Sequence, residues 1–385
     1  MKFWLKLILA SIVIFTSYNS SAEKTLQKKT KNSAIQTNSL QKTSLLPKRT
    51  VTRCKKTHPS KPLPKKQSVT SPILCRWPTD NTAFYDGKAL ENYIQSTCSG
   101  NPISGTYGCV RNNGTRFHEG IDIKSIHRGR KNIPQDKIFA CLPGTIAYIN
   151  EKPGTSLYGK YIVLEHTEPN LHFYSMYAHL NEVSKTLKVG QKIQQGAHLG
   201  QMGHSSCSTI PISRAHLHFE IGLKLGSDQT FQQWYLSQKF SSRNYHGAWN
   251  GMNLVGLDPL AFLKSKTSFK TFLQNQPIAF TLKIYTEKLS EYIKKNSALV
   301  TQANSSKKIY GWQVSFNWVG APLHFEPLFS PSTKKILLHF YDKNELFRLG
   351  NRHTLEFDVK GKPYIGKTLQ RQLFCLWGEN FPTTF

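Results

Sequence analysis

Acidic residues are scarce in this sequence, which has 22 Asp and Glu against 51 Lys and Arg among its 385 residues. The formal net charge of +29 indicates polyanionic partners. Long apolar runs are missing as well. Beyond the N-terminal run, no stretch approaches the roughly twenty apolar residues that a membrane-spanning helix requires. We therefore expect a mature protein without a transmembrane segment.

Several motifs that would define other functions are also absent. None of the seven cysteines has CxxC spacing, which argues against redox catalysis and against a cysteine-ligated zinc site. The helical H-E-x-x-H signature of many zinc peptidases is missing, and with it the glutamate that serves as their base. No aromatic RNP strand or basic helix-turn-helix is recognisable, so nucleic acid is not expected as a partner.

The most informative pattern that is present is His216-Leu217-His218-Phe219-Glu220. On a strand, residues two apart share a face, so His216 and His218 point into one site while Leu217 and Phe219 pack behind it. The same alternation places Glu220 about 7 Å further along that face. This distance predicts a supporting or exposed position for Glu220 rather than the role of a general base.

A second pattern, at HxxxD spacing, supplies His118 and Asp122 about a hundred residues upstream. Together with an HxH histidine it offers two neutral imidazoles and one carboxylate. Three ligands are the usual count for a catalytic zinc, which leaves its fourth position to water, whereas a structural zinc site has four. An HxH pair alone would be a weak indication in a chain with 14 histidines, but the two patterns together predict a Zn²⁺ site.

These segments resemble the lysostaphin/LytM-type zinc metallopeptidases, secreted endopeptidases that cut the peptide stems or cross-bridges of peptidoglycan. The resemblance covers about 105 to 263 and includes four flanking segments: 140–146, 158–166, 189–196 and 258–263. It implies that His118, Asp122 and His218 bind zinc and that His179 and His216 act in catalysis. A histidine has an unperturbed pKa of about 6.5 and can exchange protons near neutral pH, and the division of roles between these two stays open.

Two loops depart from the family pattern. The segment from Gly203 to Arg214, just before the HxH motif, is longer than the family's short turn. The segment from Ser125 to Lys137 is an insertion that carries Arg128, Arg130 and Lys131. We expect both loops to change the rim of the site, and so the substrate preference, without removing a ligand.

Short β-branched and aromatic runs broken by glycine turns predict a mainly β fold. We expect an antiparallel β-sheet metallopeptidase domain over 71–266, with a lead-in helix from Lys88 to Thr97, and a second β-rich accessory domain over 267–385. In the second domain, strands are predicted at 280–285, 312–318 and 335–341, and a helix near 286–296. Trp312 and Trp318 are candidate platforms for wall binding, with packing on the catalytic domain as the alternative role of this region.

The N-terminus indicates where the protein acts. Residues 1–22 have the design of a secretory signal peptide, with a positive start, an apolar run from Leu7 to Phe15 and small residues up to Ala22. Residues 23–70 contain 11 lysines and two arginines against one acidic residue, which predicts a basic disordered linker. This linker is either simply solvated or attaches the protein to an anionic surface. We expect an exported protein, in the periplasm or at the cell wall, whose partners are peptidoglycan and anionic envelope polymers.

The sequence thus predicts a secreted zinc metalloendopeptidase that hydrolyses peptide bonds in peptidoglycan stems or cross-links. The alternative is a catalytically silent relative that serves as a binding or activator module for other wall hydrolases, and the complete ligand set favours the enzyme. In an oxidising compartment some cysteines should pair. Cys98 and Cys109 bracket a short loop before the HxxxD motif, so a bridge between them is the first expectation.

Overall fold

The fold is mainly β, as predicted, in a computed structural model that describes residues 74–302 and 307–385. The predicted signal peptide and basic linker lie outside these residues. The strands are β1 Gly108–Arg111, β2 Arg116–His118, β3 Ile121–Lys124, β4 Lys137–Phe139, β5 Gly144–Asn150, β6 Lys160–Glu168, β7 Leu171–Val183, β8 Lys192–Ile193, β9 His198–Met202, β10 His216–Lys224, β11 Leu254–Leu257, β12 Phe280–Tyr285, β13 Gly311–Phe316, β14 Pro322–Leu328, β15 Ile336–Tyr341, β16 Leu355–Phe357 and β17 Pro363–Ile365. The helices are α1 Asp228–Ser237, α2 Pro259–Ser265, α3 Phe269–Gln274, α4 Glu291–Lys295, α5 Leu346–Arg352 and α6 Lys367–Trp377.

Strands β3 to β11 form the main sheet, in which neighbouring strands pair antiparallel. The path through the sheet runs β11-β10-β7-β6-β5-β8. One end of β10 pairs with β3, and β9 joins β7 to β4. The strand that carries the HxH motif is therefore held on both sides by other strands.

Alternation along β10 divides the sheet into two faces. Leu217, Phe219 and Ile221 are fully buried in the main hydrophobic core. His216 and His218 project from the opposite face, where a smaller apolar cluster lies. That cluster consists of Tyr161, Val163, Tyr174, Met176, Ala178, Trp249 and Leu254. Packing of one face of β10 in the core thus holds the strand in place, while its other face carries the polar side chains of His216 and His218.

The lead-in segment does not form the predicted helix. Between Lys88 and Thr97 there is only a 3-10 turn, Leu90–Asn92. The chain beyond this turn is extended and bonds to β3, since the Gln95 backbone N–H donates to the Asp122 carbonyl oxygen at 2.8 Å. The helix prediction was wrong because pairing with a neighbouring strand satisfies the backbone there.

The C-terminal region contains a second antiparallel sheet, in the order β14-β13-β12-β15. Its β12, β13 and β15 confirm the three strands that alternation predicts, and the helix expected near 286–296 is the shorter α4. This region shares the main hydrophobic core with the first sheet. The Phe173 and Phe269 rings stack with centroids 4.1 Å apart across the predicted boundary at 266/267. The domain division itself stays a prediction.

The two tryptophans considered as binding platforms, Trp312 and Trp318, are used for packing. Trp312 is 6% exposed, so its prediction as a binding platform was wrong. The Trp318 ring packs against Tyr107 and Phe117, at centroid distances of 6.2 and 5.6 Å. Within 74–302 and 307–385, no helix is long and apolar enough to cross a membrane.

A glycine permits the close contact between the HxxxD segment and β10. A Cβ atom built at Gly120 would lie 2.2 Å from the Phe219 carbonyl oxygen and 2.9 Å from the Glu220 Cγ. The alanine methyl group would clash with the Phe219 backbone, which cannot move aside as a flexible side chain could. Gly120→Ala is therefore expected to lower the free energy of unfolding by roughly 1–3 kcal/mol. Urea unfolding measures the change. Gly154→Ala is the matched control, because its Cβ would meet nothing within 4 Å. Equal losses in both variants would contradict this account.

Candidate metal centre

Three buried side chains bring one donor atom each to a common point. His118 Nε2 lies 3.1 Å from Asp122 Oδ1 and 3.0 Å from His218 Nδ1. His218 Nδ1 lies 3.2 Å from the same carboxylate oxygen. Ligands at about 2.0–2.1 Å from a tetrahedral zinc are separated by about 3.3 Å, so these donors fit that ion in chemistry and in spacing. These three residues form a group able to hold a metal ion.

The strand register accounts for this convergence. Asp122 on β3 is paired directly with His218 on β10, and paired residues project from the same face. His118 is the last residue of β2. Gly120, two residues later, lets the chain lie directly against Phe219 and Glu220 of β10, so His118 stays close to that strand. Three ligands from two sequence motifs therefore meet because of one antiparallel pairing and one glycine.

The other nitrogen of each ligand histidine is held by an acceptor. His118 Nδ1 donates to the Thr106 carbonyl oxygen at 2.7 Å, and His218 Nε2 donates to Glu220 Oε1 at 2.8 Å. A carbonyl or an ionised carboxylate can only accept, so each bond assigns the proton to the outer nitrogen. In the neutral form of each ring the inner nitrogen then has a lone pair that faces the centre, which is the arrangement a metal ligand needs.

Glu220 supports the site and is not exposed. It is fully buried, and the hydroxyls of Tyr158 and Tyr174 donate to its two oxygens at 2.8 and 2.6 Å. Burial raises the pKa of Glu220, but the bonds with His218 and the two tyrosines outweigh it and leave the pKa below its usual value. The supporting position predicted from strand spacing is thus the one observed, and the exposed alternative is wrong.

Arg111 is a site residue that the sequence patterns do not reveal. Its guanidinium pairs with Asp122 Oδ2, and its Nε donates to the Ser104 carbonyl oxygen at 3.1 Å. Burial raises the pKa of Asp122, but His118, His216 and the hydrogen bonds it accepts hold the pKa well below the usual value. The carboxylate is therefore ionised, with Oδ1 turned to the centre and Oδ2 to Arg111. No spacing rule links Arg111 to a carboxylate eleven residues away on another strand.

The two histidines assigned to catalysis stand beside the three donors. The His179 and His216 rings have centroids 4.8 Å apart, and His216 Nε2 lies 3.4 Å from Asp122 Oδ1. Their Nδ1 atoms donate to backbone carbonyl oxygens, of Ser205 at 2.8 Å and of Arg214 at 2.7 Å. Burial lowers the pKa of both rings, that of His179 well below its usual value. Both are neutral at pH 7, with Nε2 available as a proton acceptor.

His179 reaches the site through an unusual backbone conformation. Ala178 is the residue paired with His218, so simple alternation would turn His179 to the opposite face. Instead its φ is 61°, a left-handed value that is uncommon outside glycine. Such local strain is often found at functional sites. Here it places the ring against His216.

Hydrogen bonds join the two loops that depart from the family pattern, 125–137 and 203–214. The Arg128 guanidinium donates to three carbonyl oxygens of the loop before β10, those of Ile212 at 2.8 Å and of Ser213 and Ala215 at 3.4 Å each. Arg130 and Lys131 are exposed. The insertion therefore contributes two exposed cations, Arg130 and Lys131, to the surface. Its third basic residue, Arg128, stabilises the segment that precedes His216.

Residues 116–230, under a third of the chain, match the model of peptidase family M23. The resemblance to lysostaphin/LytM-type metallopeptidases is thereby confirmed for this segment. A search of curated proteins found no match.

Solved structures of three bacterial proteins are similar to parts of the chain. A zinc-containing peptidase of Vibrio cholerae is 22% identical over 39% of this chain and 37% of its own, with a TM-score of 0.27. Helicobacter pylori Csd3 is 21% identical over 39% of this chain and 30% of its own, with a TM-score of 0.26. The catalytic domain of lysostaphin from Staphylococcus simulans is 21% identical over 46% of this chain and 95% of its own, with a TM-score of 0.27. The matched part spans about a third of the Vibrio and Helicobacter chains.

The buried carboxylate behind His218 yields a test of the centre. Glu220→Gln keeps the shape but removes the charge that orients and strengthens His218, so metal affinity should fall about 10- to 100-fold. Competition with a chromophoric chelator measures it. Glu165→Gln, at a half-buried carboxylate on β6, is the control and should bind metal like the wild type. Unchanged affinity in Glu220→Gln would show that this hydrogen bond does not support the centre.

Proposed function

We propose that this protein is an exported zinc metalloendopeptidase that hydrolyses peptide bonds in peptidoglycan stems or cross-links. The observation that carries the proposal is the complete donor set of His118, Asp122 and His218, with His179 and His216 beside it. An M23 segment without these ligands would favour a binding or activator module instead. The three donors leave one side of a tetrahedral ion open to substrate.

The residues of this chain supply what the reaction needs besides the metal. Zinc, when bound, would acidify a water molecule and polarise the scissile carbonyl. His179 and His216 have unprotonated Nε2 atoms, so either one can take the proton of the attacking water and return it to the leaving amine. A protonated ring can also stabilise the negative charge that develops on the carbonyl oxygen. Histidines thus take the place of the glutamate base that the sequence lacks.

Substrate class and location follow from charge. Peptidoglycan stems and envelope polymers are polyanions, and an exported protein without Lys2 and Lys6 of the predicted signal peptide would keep a net charge of +27 that attracts it to them. We place the protein in the periplasm or at the cell wall, in keeping with the signal peptide predicted for 1–22. The direct test is incubation of the purified protein with defined muropeptides and analysis of the products by mass spectrometry. Zinc binding without any cleavage would identify the silent module.

The metal assignment can be tested by substitution. His218→Ala removes one of three ligands, so the purified variant should contain little zinc and should not cleave muropeptides. Inductively coupled plasma mass spectrometry measures the metal content. His198→Ala, at an exposed histidine, is the control and should retain one zinc per chain. Full zinc occupancy in His218→Ala would overturn the ligand set.

The catalytic assignment predicts a different outcome. His216→Ala and His179→Ala leave the three donors in place, so zinc content should be preserved. Turnover of muropeptides should fall by a factor on the order of a hundred to ten thousand, the usual contribution of acid–base catalysis. Rates and zinc content are measured on the same preparations. Wild-type turnover in both variants would refute these roles.

The basic segment 23–70 offers a separate test of the wall partner. Deleting it removes 13 basic residues and one acidic residue, so binding to isolated sacculi at low salt should weaken. Added salt should reduce the difference, because charges on exposed groups are screened over about 8–10 Å near physiological ionic strength. Cleavage of small soluble muropeptides should stay nearly unchanged. If the deletion variant and the wild type bound sacculi equally well at low salt, segment 23–70 would be only a solvated linker.

A further inference from the structure

Two cysteines lie side by side where the lead-in segment crosses the main sheet. Cys75 is half-buried, and Cys141, in the turn between β4 and β5, is fully buried. The Arg76 backbone N–H donates to the Cys141 carbonyl oxygen at 2.8 Å, so the two chain segments are in direct contact. Each thiol also shifts the pKa of the other, in keeping with this contact between the two segments.

The surrounding hydrogen bonds hold both backbones in place. Gln195 Nε2 donates to the Leu74 carbonyl oxygen at 2.6 Å and to the Cys141 carbonyl oxygen at 2.8 Å, which joins the two segments from one side. The Cys141 backbone N–H donates to the Tyr177 hydroxyl at 2.8 Å. These hydrogen bonds hold the Cys75 and Cys141 segments together without involving the sulfur atoms.

The bridge expected from the sequence is not formed. Cys98 is exposed, Cys109 is half-buried, and both are free thiols, as are the other cysteines of the described residues, Cys75 and Cys141 among them. What distinguishes Cys75 and Cys141 is the hydrogen-bonded contact between their chain segments, although they are 66 positions apart in the sequence. Sequence spacing cannot reveal this contact, because it arises from the docking of the lead-in on the sheet.

We propose that Cys75 and Cys141 form a disulfide bond in the exported protein. The oxidant is a protein or small-molecule disulfide. The Cys75 sulfur, the more accessible one, attacks this disulfide, and its proton passes to the carrier thiol that is released. The Cys141 thiolate then attacks the Cys75 sulfur of the mixed disulfide and releases the second carrier thiol. Two cysteines are oxidised, one carrier disulfide is reduced, and the two cysteine protons end on the carrier thiols.

His166 favours the second step. Burial would raise the pKa of Cys141, but the neighbouring Cys75 and His166 outweigh it and hold the pKa well below its usual value, and the influence of His166 remains once Cys75 is in the mixed disulfide. Burial and the neighbouring Cys141 raise the pKa of Cys75, whose thiol donates to the Arg76 carbonyl oxygen at 3.7 Å. A thiolate at Cys141 is the nucleophile that closes the bond.

The bond would close a loop that contains His118 and Asp122, two of the three metal donors. A cross-link of this kind stabilises mainly by restricting the unfolded chain. It would keep the lead-in docked beside β4, where the Phe139 backbone N–H donates to the Pro78 carbonyl oxygen at 2.9 Å. The disulfide thus ties the part of the chain that holds two ligands to the rest of the sheet.

The test uses the full chain, equilibrated with oxidised or with reduced glutathione, alkylated, digested and analysed by mass spectrometry. The wild type should yield a linked peptide of Cys75 and Cys141 only after oxidation, with a higher Tm than the reduced protein. Cys75→Ser should lose both the linked peptide and the Tm difference. Cys98→Ser, at an exposed cysteine, is the matched control and should behave like the wild type.

Complete alkylation of both positions in the oxidised, folded wild type would overturn the proposal, and so would a linked peptide that joins either one to another cysteine. The wild-type peptide map decides the question even if a cysteine variant fails to fold. The proposal uses the oxidising location inferred above, but oxidation in vitro is independent of it. Zinc content and muropeptide cleavage report on the proposed function separately.

Discussion

The pairing of β3 with β10 places Asp122 directly opposite His218, and the metal centre depends on that register. Because successive side chains point to opposite faces, a slip of one residue would turn Asp122 into the core and bring Ile123 to the site. Ile123 and Leu217 are fully buried behind the strands, and their exposure would oppose such a slip. Burial of the apolar residues on the core-facing side of β3 and β10 therefore fixes the positions of Asp122 and His218 on the other side.

Charge balance in the buried site favours a cation. Two ionised carboxylates, of Asp122 and Glu220, face the single guanidinium of Arg111, so the fixed charges sum to a negative value. Burial lowers the pKa of His218, but its bonds with Asp122 and Glu220 raise the pKa to about 9. A metal ion held by His218 would therefore displace a proton at neutral pH, and its affinity would fall as the pH falls. The same carboxylates that retain the proton would stabilise the ion.

The sequence could predict that His118, Asp122 and the HxH histidines meet at one site, because HxH and HxxxD are local patterns and strand alternation is a local property. The choice of His218 over His216 as a donor came from the family resemblance. Alternation also predicted the strands of the C-terminal sheet. His179 could be assigned through family resemblance alone, since its ring reaches the site through a left-handed backbone that reverses the alternation. Arg111 and the Cys75 contact require tertiary structure. The helix expected from Lys88 to Thr97 failed for the same reason, because pairing with β3 overrides local propensity.

The C-terminal region touches the hairpin of β1 and β2 that ends in His118. Trp318 packs on Tyr107 and Phe117, and the Arg352 guanidinium lies 4.0 Å from the centroid of the Phe117 ring. Phe117 immediately precedes His118, so a shift of the hairpin would move His118 Nε2 away from the other two donors. A cation–π contact and aromatic packing at this point are each worth about 0.5–1.5 kcal/mol, enough to bias the position of one hairpin. The region from 267 to 385 therefore contributes to the metal centre through packing, independently of any binding to the wall.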